Sequence, residues 1–564
     1  MAATRTSANG KIRIQENALN EPDTSMSHIR SLSSLLLLVA SSLLHAQTVQ
    51  WMRQGGLSGE GRGIASDAAG NAYVCGTVGN PALFDLDTTA SHFADAFVAK
   101  YDDAGTIQWV RTGGNELIDQ ANAIATDADG NSYVTGFFRT NGPFPTVTFD
   151  SIVLQGLGSS DLFLAKYAAD GTLLWIRSGG GAQAEEGRGV ALAADGNVLV
   201  SGFFQGTAVF AEDTLVSGGL SDVLLLKYST DGDLLWSARC GGTGDDMANQ
   251  LTALPSGDLA VVGFFQAAVT IGSTTLTANG LTNAFIARYA GTGDPLWATS
   301  AGSNVSFAGD QAYDIDAAPN GDLVICGEIA GTADFDGTSV VPNGGIDLFI
   351  ARYDGSGALQ WVHHAGGPQV DHAYGVAVDS DGNSYLTGQA DDGATTVFDT
   401  ITLAPFGNEA VFLAKYDAAG AIQWVERYTP GLGRAVEVVE NGCLYFTGGA
   451  SGIVGQPAFD AIPWQYMDRA IFTARFCADQ ATTVAEPSHN EEFALFPNPS
   501  NGQSIHVQGA ATLRSLDVFD PTGRLIAHYN GTVRTIAAPE VTGTYFVRAV
   551  QADGRLTTTR LMRY

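Results

Sequence analysis

The sequence predicts an all-β protein, a seven-bladed β-propeller closed by its N-terminal strand and followed by a small Ig-like β-sandwich. Three observations support this fold class. A segment of about sixty residues recurs seven times along the chain. The 69 glycines suit turns between short apolar strands, and no segment keeps an apolar period of 3.6 residues. Four strands in each unit of a radial repeat are typical of a propeller.

Tryptophan marks each copy of the repeat. Successive copies are separated by 58, 66, 61, 61, 64 and 63 residues. The residues are Trp51, Trp109, Trp175, Trp236, Trp297, Trp361 and Trp424. After Trp109, NAIATD and SYVTGFF flank the turn DADGN, and LFLAKY and TLLWIR flank AADG, which predicts two antiparallel hairpins. One aromatic residue at a fixed place in each copy predicts packing between blades rather than a sugar-stacking surface.

The two ends of the repeat region complement each other. The last copy stops at Arg475 and Phe476 and lacks a following strand that contains tryptophan. Residues 48–53 (TVQWMR) supply such a strand at the start of the repeats. We therefore expect this segment to complete the final blade beside residues 469–476, which would remove two exposed sheet edges.

The repeat also carries a family resemblance. The pattern GG…D-x-A…IA-x-D…GN-x-Y-V-T-G recurs in phase and resembles the bacterial SBBP-type β-propeller repeat over about residues 48–477. The resemblance implies the propeller fold and, in many members, a location outside the cytoplasm. It implies no common catalytic activity.

The start of the chain has the features of a secretory signal peptide. Arg30 precedes the apolar run 32–44, and Ala46 stands before the predicted cleavage site. The run is too short to span a bilayer, and no other run is long and apolar enough to do so. We assign residues 26–46 to the signal and interpret residues 1–25 as an upstream non-structural extension, because Met26 stands where such a signal begins.

The chain after the propeller (residues 47–477) divides into two parts. Residues 478–492 are polar and contain a proline, which predicts a linker. Residues 493–564 alternate in a strand pattern with turns at Pro-Thr-Gly and Ala-Asp-Gly, which predicts the β-sandwich. This domain resembles the type A C-terminal sorting domain of the type IX secretion system. The matching residues are Pro497, Asn498, Pro499, Gly502, Gly523, Arg524, Gly543, Tyr545, Val547 and Gly554.

The sorting-domain resemblance implies a partner and a destination. The partner is the type IX secretion machinery, which would carry the protein across the outer membrane after the signal peptide has directed it through the inner one. The protein would then be secreted or held on the outer-membrane surface of a Gram-negative bacterium. The alternative is that residues 493–564 form an ordinary Ig-like accessory domain.

The charge of the chain disfavours one class of partner. The formal net charge is −31, and because residues 1–46 and 487–564 each carry +1, residues 47–486 carry −33. Such an acidic surface repels phosphate groups, so we expect no nucleic acid partner. The five cysteines form no CxxC pair, and we expect Cys75 and Cys326 to be small buried side chains.

The repeats contain no recognised catalytic motif. A G-x-S-x-G elbow, a phosphate loop and an H-E-x-x-H sequence are all missing from the sequence, so we predict no catalytic residue and no cofactor. About ten residues after most tryptophans comes a carboxylate, at Glu60, Asp119, Glu186, Asp246, Asp310 and Asp371. Near one mouth of the channel these six could form an acidic ring that holds Ca²⁺. Alternatively, each accepts local backbone N–H bonds and stabilises a turn between blades.

Three functions fit these observations. The leading one is a non-enzymatic scaffold, secreted or displayed on the cell surface, whose variable loops bind an unknown protein or glycan. The second is a secreted glycan-active hydrolase or lyase. Such an enzyme needs inward-facing carboxylate, tyrosine, histidine or arginine side chains that depart from the repeat in one or two blades. The third is a structural component of a surface layer.

Overall fold

A computed structural model describes residues 47–478 and 494–563, except for 57, 81, 85–86, 90, 391–394, 406–408, 440–441, 451–456, 460–461, 464–469, 497–503, 509–512, 521–523, 532, 540, 542 and 552–555. The predicted extension 1–25, the signal peptide 26–46 and linker residues 479–492 lie outside this part of the chain. The regular elements of the described part are all β-strands, which confirms the all-β prediction. No helix in that part is long and apolar enough to cross a membrane.

The strands are numbered in chain order. The first seventeen are β1 (Gln47–Gly55), β2 (Gly59–Ser66), β3 (Ala72–Val78), β4 (Ala82–Phe84), β5 (Asp87–Thr89), β6 (Asp95–Tyr101), β7 (Ile107–Gly114), β8 (Gln120–Thr126), β9 (Ser132–Phe138), β10 (Thr146–Phe149), β11 (Ile152–Gln155), β12 (Asp161–Tyr167), β13 (Leu173–Gly181), β14 (Glu185–Leu192), β15 (Val198–Phe210), β16 (Asp213–Tyr228) and β17 (Leu234–Cys240). The next twelve are β18 (Asp246–Ala253), β19 (Leu259–Phe265), β20 (Ala268–Ile271), β21 (Thr274–Thr277), β22 (Asn283–Tyr289), β23 (Pro295–Ser303), β24 (Gln311–Ala317), β25 (Leu323–Ile329), β26 (Ala333–Phe335), β27 (Thr338–Val340), β28 (Asp347–Tyr353) and β29 (Leu359–Gly366). The last seventeen are β30 (His372–Val378), β31 (Ser384–Ala390), β32 (Thr396–Phe398), β33 (Ile401–Leu403), β34 (Ala410–Tyr416), β35 (Ile422–Val439), β36 (Cys443–Ala450), β37 (Pro457–Phe459), β38 (Ile462–Pro463), β39 (Ala470–Ala478), β40 (Ala494–Phe496), β41 (Ser504–Gln508), β42 (Leu513–Phe519), β43 (Leu525–Asn530), β44 (Thr535–Ala537), β45 (Gly543–Gln551) and β46 (Leu556–Arg563).

Strands β1 to β39 pair antiparallel in four-stranded groups, one for each copy of the repeat. The groups that these strands form are β2-β3-β6-β7, β8-β9-β12-β13, β14-β15-β16-β17, β18-β19-β22-β23, β24-β25-β28-β29, β30-β31-β34-β35 and β35-β36-β39-β1. The long strand β35 serves two groups, as the fourth strand of one and the first strand of the next. The variable stretches predicted between the repeat motifs include short hairpins, such as β10-β11, that extend a group at its outer edge.

The first strands of the groups surround a central channel. Strands β2, β8, β14, β18, β24, β30 and β35 contact one another in that order, and β35 also contacts β2. Radial sheets around a channel are the arrangement of a β-propeller. The second and third strands of a group, such as β9, β25 and β28, are buried at every position. Their sequences are nearly continuous apolar runs because neighbouring groups cover both faces.

The N-terminal strand completes the last group. Strand β1 pairs antiparallel with β39, with Trp51 opposite Arg475 and Met52 opposite Ala474. Across the same junction, Tyr445 Oη donates a hydrogen bond of 2.6 Å to the carbonyl oxygen of Gly70 in the first repeat. Residues 48–53 therefore lie beside the segment that the sequence assigns to them.

A disulfide crosses this closing group. Cys443 on β36 and Cys477 on β39 are direct cross-strand neighbours and are bonded to each other. Sequence reasoning did not predict this pair, although the signal was available, because only the last repeat has cysteine at both positions. Cys75, Cys240 and Cys326 are free and buried, which agrees with the expectation for Cys75 and Cys326.

Among the described residues, tryptophan joins six of the seven groups to the next one. The indole Nε1–H of Trp109, on the outermost strand β7, donates a 3.0 Å hydrogen bond to the carbonyl oxygen of Ala169 in the turn of the following group. Arg111 Nε reaches the Gly171 carbonyl of that turn at 2.9 Å. Equivalent Nε1 bonds, between 2.9 and 3.3 Å, are made by Trp51, Trp175, Trp236, Trp297 and Trp361. The row of tryptophans is thus an interblade contact.

The turn beneath six of the seven tryptophans contains a glycine, which is required for two reasons. Gly171 has a φ of +83°, a conformation that side chains with a Cβ rarely adopt. A Cβ at this position would also lie 2.7 Å from Cδ2 of Trp109, well inside van der Waals contact. The AADG and DAAG turns of the repeat are therefore selected by backbone conformation and by the indole packed against them.

The C-terminal residues form two small sheets with a common core. The sheets are β40-β41-β44 and β43-β42-β45-β46, and their shared buried cluster includes Ile505 and Ile536 from one and Leu516 and Val547 from the other. Of the predicted sorting residues, Arg524, Gly543, Tyr545 and Val547 lie in the described part. Pro497, Asn498, Pro499, Gly502, Gly523 and Gly554 lie outside it.

The glycine turn predicts a difference between two substitutions. Gly171→Ala combines a strained backbone with a collision against Trp109 and should lower the free energy of unfolding by about 2 kcal/mol or more. Gly321→Ala is the matched control, because Gly321 has a φ of +86° and a Cβ on it would meet no heavy atom within 4 Å, so it should cost about 1 kcal/mol. Urea denaturation of both variants gives the two values. Equal losses would show that the indole imposes no steric requirement.

The disulfide predicts a large contribution to stability. Cys443 and Cys477 are separated by 34 residues, and closing a loop of that length restricts the unfolded chain by about 3–4 kcal/mol. The double variant Cys443→Ser/Cys477→Ser should lose about that much unfolding free energy in guanidinium titrations. Dithiothreitol should destabilise the wild-type protein by a similar amount and leave the double variant unchanged. A reductant effect on the double variant would contradict this assignment.

Candidate functional site at the mouth of the central channel

Each innermost strand contains a β-bulge at the same place. The strand register shifts at one residue in β2, β8, β14, β18, β24, β30 and β35. A bulge leaves one residue outside the ladder and re-aims its side chain. The bulged residues, which we name the bulge ring, are Arg62, Asn122, Arg188, Asn249, Tyr313, Tyr374 and Arg434. All seven line one cavity of about 580 Å³ in the channel.

The residue before each bulge is small because it touches the neighbouring group. A Cβ on Gly187 would lie 2.0 Å from Thr135 Oγ1, and one on Gly433 would lie 2.1 Å from Thr387 Oγ1. The bulged residue itself meets no such limit. The repeat therefore restricts one position tightly to glycine or alanine and leaves the next free to carry arginine, asparagine or tyrosine.

The arginines of the bulge ring contact two glutamates at the mouth. Arg62 Nη2 lies 3.4 Å from Glu60 Oε1, and Arg434 Nε contacts the same Glu60 oxygen. Arg188 Nη2 lies 3.6 Å from Glu186 Oε2. Three guanidinium groups thus share two carboxylates in one narrow space.

Burial and mutual repulsion act on these arginines. Burial lowers the pKa of Arg62 below its usual value, and the positive charges of Arg434 and Arg188 lower it further, against the opposing effect of Glu60. Burial likewise lowers the pKa of Arg188. Within a repeat region that carries −33, this mouth is a local concentration of guanidinium groups.

Aromatic side chains form the adjacent wall. Tyr313 and Tyr374 have ring centroids 5.0 Å apart, and the His372 ring stacks on Tyr374 at 5.2 Å. The Arg434 guanidinium also lies over the Tyr374 ring, 4.3 Å from its centroid. Cation–π contacts of this kind hold an arginine in place while leaving some of its N–H donors for other partners.

A polar network backs the aromatic wall. Gln311 Nε2 donates to Tyr313 Oη at 2.9 Å and to Glu328 Oε1 at 2.7 Å. His372 Nδ1 contacts the other oxygen of Glu328, which is buried. The network fixes Tyr313 and His372 through Glu328, a carboxylate whose position is held by other residue types in the other repeats.

Three further carboxyl groups, Asp314, Asp316 and Glu437, line the channel at positions where most other repeats have glycine or alanine. Burial raises the pKa of Asp314 to about 7, that of Asp316 to about 6 and that of Glu437 to about 8, and their mutual repulsion adds to the shifts of Asp314 and Glu437. The amides of Val376 and Val378 donate to Asp314 and Asp316, each at 2.8 Å. These groups can hold protons near neutral pH, and two of them also join adjacent strands.

The structure separates the six carboxylates of the predicted acidic ring into two sets. Asp119, Asp246, Asp310 and Asp371 occupy equivalent buried positions just before the innermost strands or at their start. Glu60 and Glu186 lie one residue further along, at the channel mouth with the arginines. The third repeat has Glu185 at the position equivalent to Asp119, and this glutamate is also buried.

The buried set accepts backbone N–H bonds. Asp119 accepts from Asn115 N at 2.7 Å and from Arg139 N at 2.9 Å, and Asp246 accepts from Gly242 N at 2.6 Å. This is the local turn arrangement that the sequence left as the alternative to an acidic ring. Over the part of the chain that the structure describes, no three His, Cys, Asp or Glu side chains converge on a point where a metal ion could bind.

A second acid stands beside each of these carboxylates in most repeats. Burial raises the pKa of Asp119 to about 7, and the neighbouring Asp95 adds to the shift. Burial and Asp371 together raise the pKa of Asp347 to about 7, and its Oδ1 is buried with no hydrogen-bond partner among the described atoms. In the fourth repeat the equivalent residue is Asn283, which cannot ionise.

Sequence reasoning missed the bulge ring. The signal lies in seven aligned segments, GRGIA, ANAIA, GRGVA, ANQLT, AYDID, AYGVA and GRAVE, in which the second residue varies strongly in chemistry. Without the structure, neither the bulge nor the inward direction of that residue could be read from the alternation of apolar and polar residues. Glu328 and Glu437 were also missed, because each occurs in one repeat only.

The repeat matches a known family, and the chain has relatives among known proteins. A model of the SBBP beta-propeller repeat matches residues 360–393. A WD repeat-containing protein of Acanthamoeba polyphaga mimivirus is 25% identical over 410 residues, which is 58% of this chain and 30% of that protein. The regulatory protein FlaEY of Caulobacter vibrioides is 27% identical over 213 residues, which is 35% of this chain and 22% of that protein. The chain thus spans less than a third of the length of these two relatives.

Among solved structures, one propeller aligns with most of the chain. The Dos1 propeller aligns with 77% of this chain and 96% of its own at 10% identity, with a TM-score of 0.38. The SBBP match and the antiparallel groups around a channel identify the chain as a β-propeller repeat protein.

The paired buried acids predict a stability that depends on pH. A carboxyl whose pKa is higher in the folded than in the unfolded state favours folding when protonated, and that contribution is lost as pH rises from about 4 through the folded pKa. The free energy of unfolding should therefore fall between about pH 5 and pH 8. Asp347→Asn should flatten this dependence by up to about 1.4 kcal/mol per pH unit, as measured by urea denaturation across that range.

A matched variant controls for the loss of charge alone. Asp381 lies in an exposed turn, so Asp381→Asn should leave the slope of stability against pH unchanged. An unchanged slope in Asp347→Asn would instead show that this buried acid does not titrate in the range.

Proposed function

We propose that this protein is an exported, seven-bladed β-propeller that acts as a non-enzymatic binding module. The observation that carries the binding function is the bulge ring, where arginine, tyrosine and asparagine side chains converge on one cavity. A cavity of about 580 Å³ is within the range of small-molecule sites. The seven four-stranded groups are the blades, and strand β1 is the segment that closes the ring.

Export is supported by three features of different kinds. Residues 26–46 have the pattern of a signal peptide, and residues 493–564 resemble a type IX sorting domain in an ordered set of motifs. The disulfide Cys443–Cys477 suits an oxidising compartment rather than the cytosol. We propose that the type IX machinery recognises the C-terminal domain and delivers the propeller to the cell surface or the medium.

A second candidate is an enzyme that acts on glycans. The contact between His372 and Glu328, beside Tyr313 and Tyr374, unites the residue types that general acid–base chemistry uses. These are departures from the repeat in two adjacent blades, as an enzyme on this fold requires. The contacts of this cluster do not by themselves assign a reaction, so binding is the function we place first.

The proposed site can be tested with a glycan array. The full chain, purified with its disulfide intact, should bind a glycan class without forming products. Tyr374→Ala removes one ring of the aromatic wall and should weaken that binding at least tenfold, because truncating a tyrosine at the centre of a binding site costs about 2 kcal/mol or more. Leu174→Ala, at an exposed residue of an outer strand, is the control and should bind normally.

Two results would contradict the proposal. Full binding by Tyr374→Ala would place the ligand site elsewhere on the molecule. Release of shortened or unsaturated sugars from a bound glycan, detected by chromatography, would make the protein an enzyme and turn attention to His372 and Glu328.

A further inference from the structure

The channel arginines differ from the other basic residues of the repeats. Arg111 and Arg177 on outer strands bind turn carbonyls of the next blade, and Arg288 and Arg352 pair with Asp258 and Asp322. Those contacts recur because they hold blades and turns together. The bulge-ring arginines have no such repeated task, since asparagine or tyrosine takes the same position in four of the seven repeats.

The mouth brings three arginines together with three glutamates, Glu60, Glu186 and Glu328. Within the described part of the chain, Arg62, Arg188 and Arg434 form ion pairs with two carboxylates, those of Glu60 and Glu186. The Nε–H of Arg62 is buried and donates to no acceptor among the described residues. A buried donor without a partner costs free energy until an acceptor reaches it, and because this donor belongs to a guanidinium, an anionic acceptor suits it best.

The shape of the donors narrows the chemistry of that group. A guanidinium presents parallel N–H bonds that match the two oxygens of a carboxylate. Beside the arginines stand the flat rings of Tyr313 and Tyr374 and the amides of Asn122, Asn249 and Gln120, all lining the same cavity. Each amide nitrogen has two N–H donors, and one of the two is used within the protein, on Gly187 O, Ala312 O and Asn122 Oδ1 respectively. Rings that can lie against a sugar face, next to amides that can bond hydroxyl groups, suit a polyhydroxylated ligand.

We infer that the channel mouth binds an oligosaccharide that carries carboxylate groups, of the hexuronic acid class, with Arg62 and Arg434 receiving the carboxylate. The inference rests on the proposed binding function and specifies its ligand. Glu60 orients the two arginines from one side, and the tyrosine pair contacts the sugar ring from the other. The acidic surface outside the channel repels a polyanionic glycan, so the glycan binds at the arginines of the mouth.

Calorimetric titration of the full chain with trigalacturonic acid tests the inference. Binding should be at least tenfold tighter than that of maltotriose, a neutral trisaccharide, and should weaken as salt is raised. Arg62→Gln and Arg434→Gln should each weaken trigalacturonate binding at least tenfold. Arg177→Gln removes an arginine of the outer face and should bind as the wild type does. Melting temperatures of all three variants establish that they fold. If one of the two mouth variants does not fold, the other is compared with Arg177→Gln.

The outcomes separate this inference from the proposed function. Suppose that neutral glycans bind the wild-type protein but not Tyr374→Ala, and that trigalacturonate binds no better than maltotriose. The anionic ligand is then wrong and the binding function stands. Unchanged trigalacturonate affinity in both arginine variants also overturns the inference. Acetate binding with equal affinity would overturn the sugar specificity. If no glycan of any class binds, the inference and the glycan-binding form of the proposed function both fail.

Discussion

The contact on which the propeller depends is the packing of one blade's tryptophan against the glycine turn of the next. Each such contact combines a hydrogen bond from the indole Nε1–H with close packing of the indole against the turn. It requires a tryptophan on the outer strand of one group and a glycine with positive φ one repeat later. The spacing of about sixty residues is thus a physical requirement. Trp51 shows its reach, because it lies on the N-terminal strand in the last group and still binds the first repeat's turn at Asp103.

A ring of such contacts frees its centre to vary. The outer strands and turns must repeat, since six of the seven groups in the described part use the same contact with their neighbour. The bulged residue takes no part in the ladder, so arginine, asparagine and tyrosine alternate there without disturbing the blades. The chemical diversity of the protein is concentrated where the repeat imposes least, and Asp314, Asp316 and Glu437 continue that pattern in the channel.

The net charge of the chain does not show how its charged groups are distributed. Many acids lie in turns or between blades, where, as at Asp119 and Asp347, they accept backbone N–H bonds and are held at a raised pKa by burial and by a second acid. The few arginines of the mouth lie together at one end of the channel, where they pair with Glu60 and Glu186. An overall charge of −31 therefore coexists with a cluster of guanidinium groups.

The sequence by itself determined the all-β fold, the repeat, the pairing of residues 48–53 with the last strand and the interblade role of tryptophan, because each follows from local periodicity or from text that recurs in phase. It could not determine which residues meet in the channel. Glu60 and Asp119 look equivalent by their distance from tryptophan, yet a shift of one position sends Glu60 to the arginines and Asp119 into a buried turn. The bulge that directs Arg62 and Arg434 inward arises only when strands pair in the folded ring, because a shift of strand register leaves no periodic trace in the sequence.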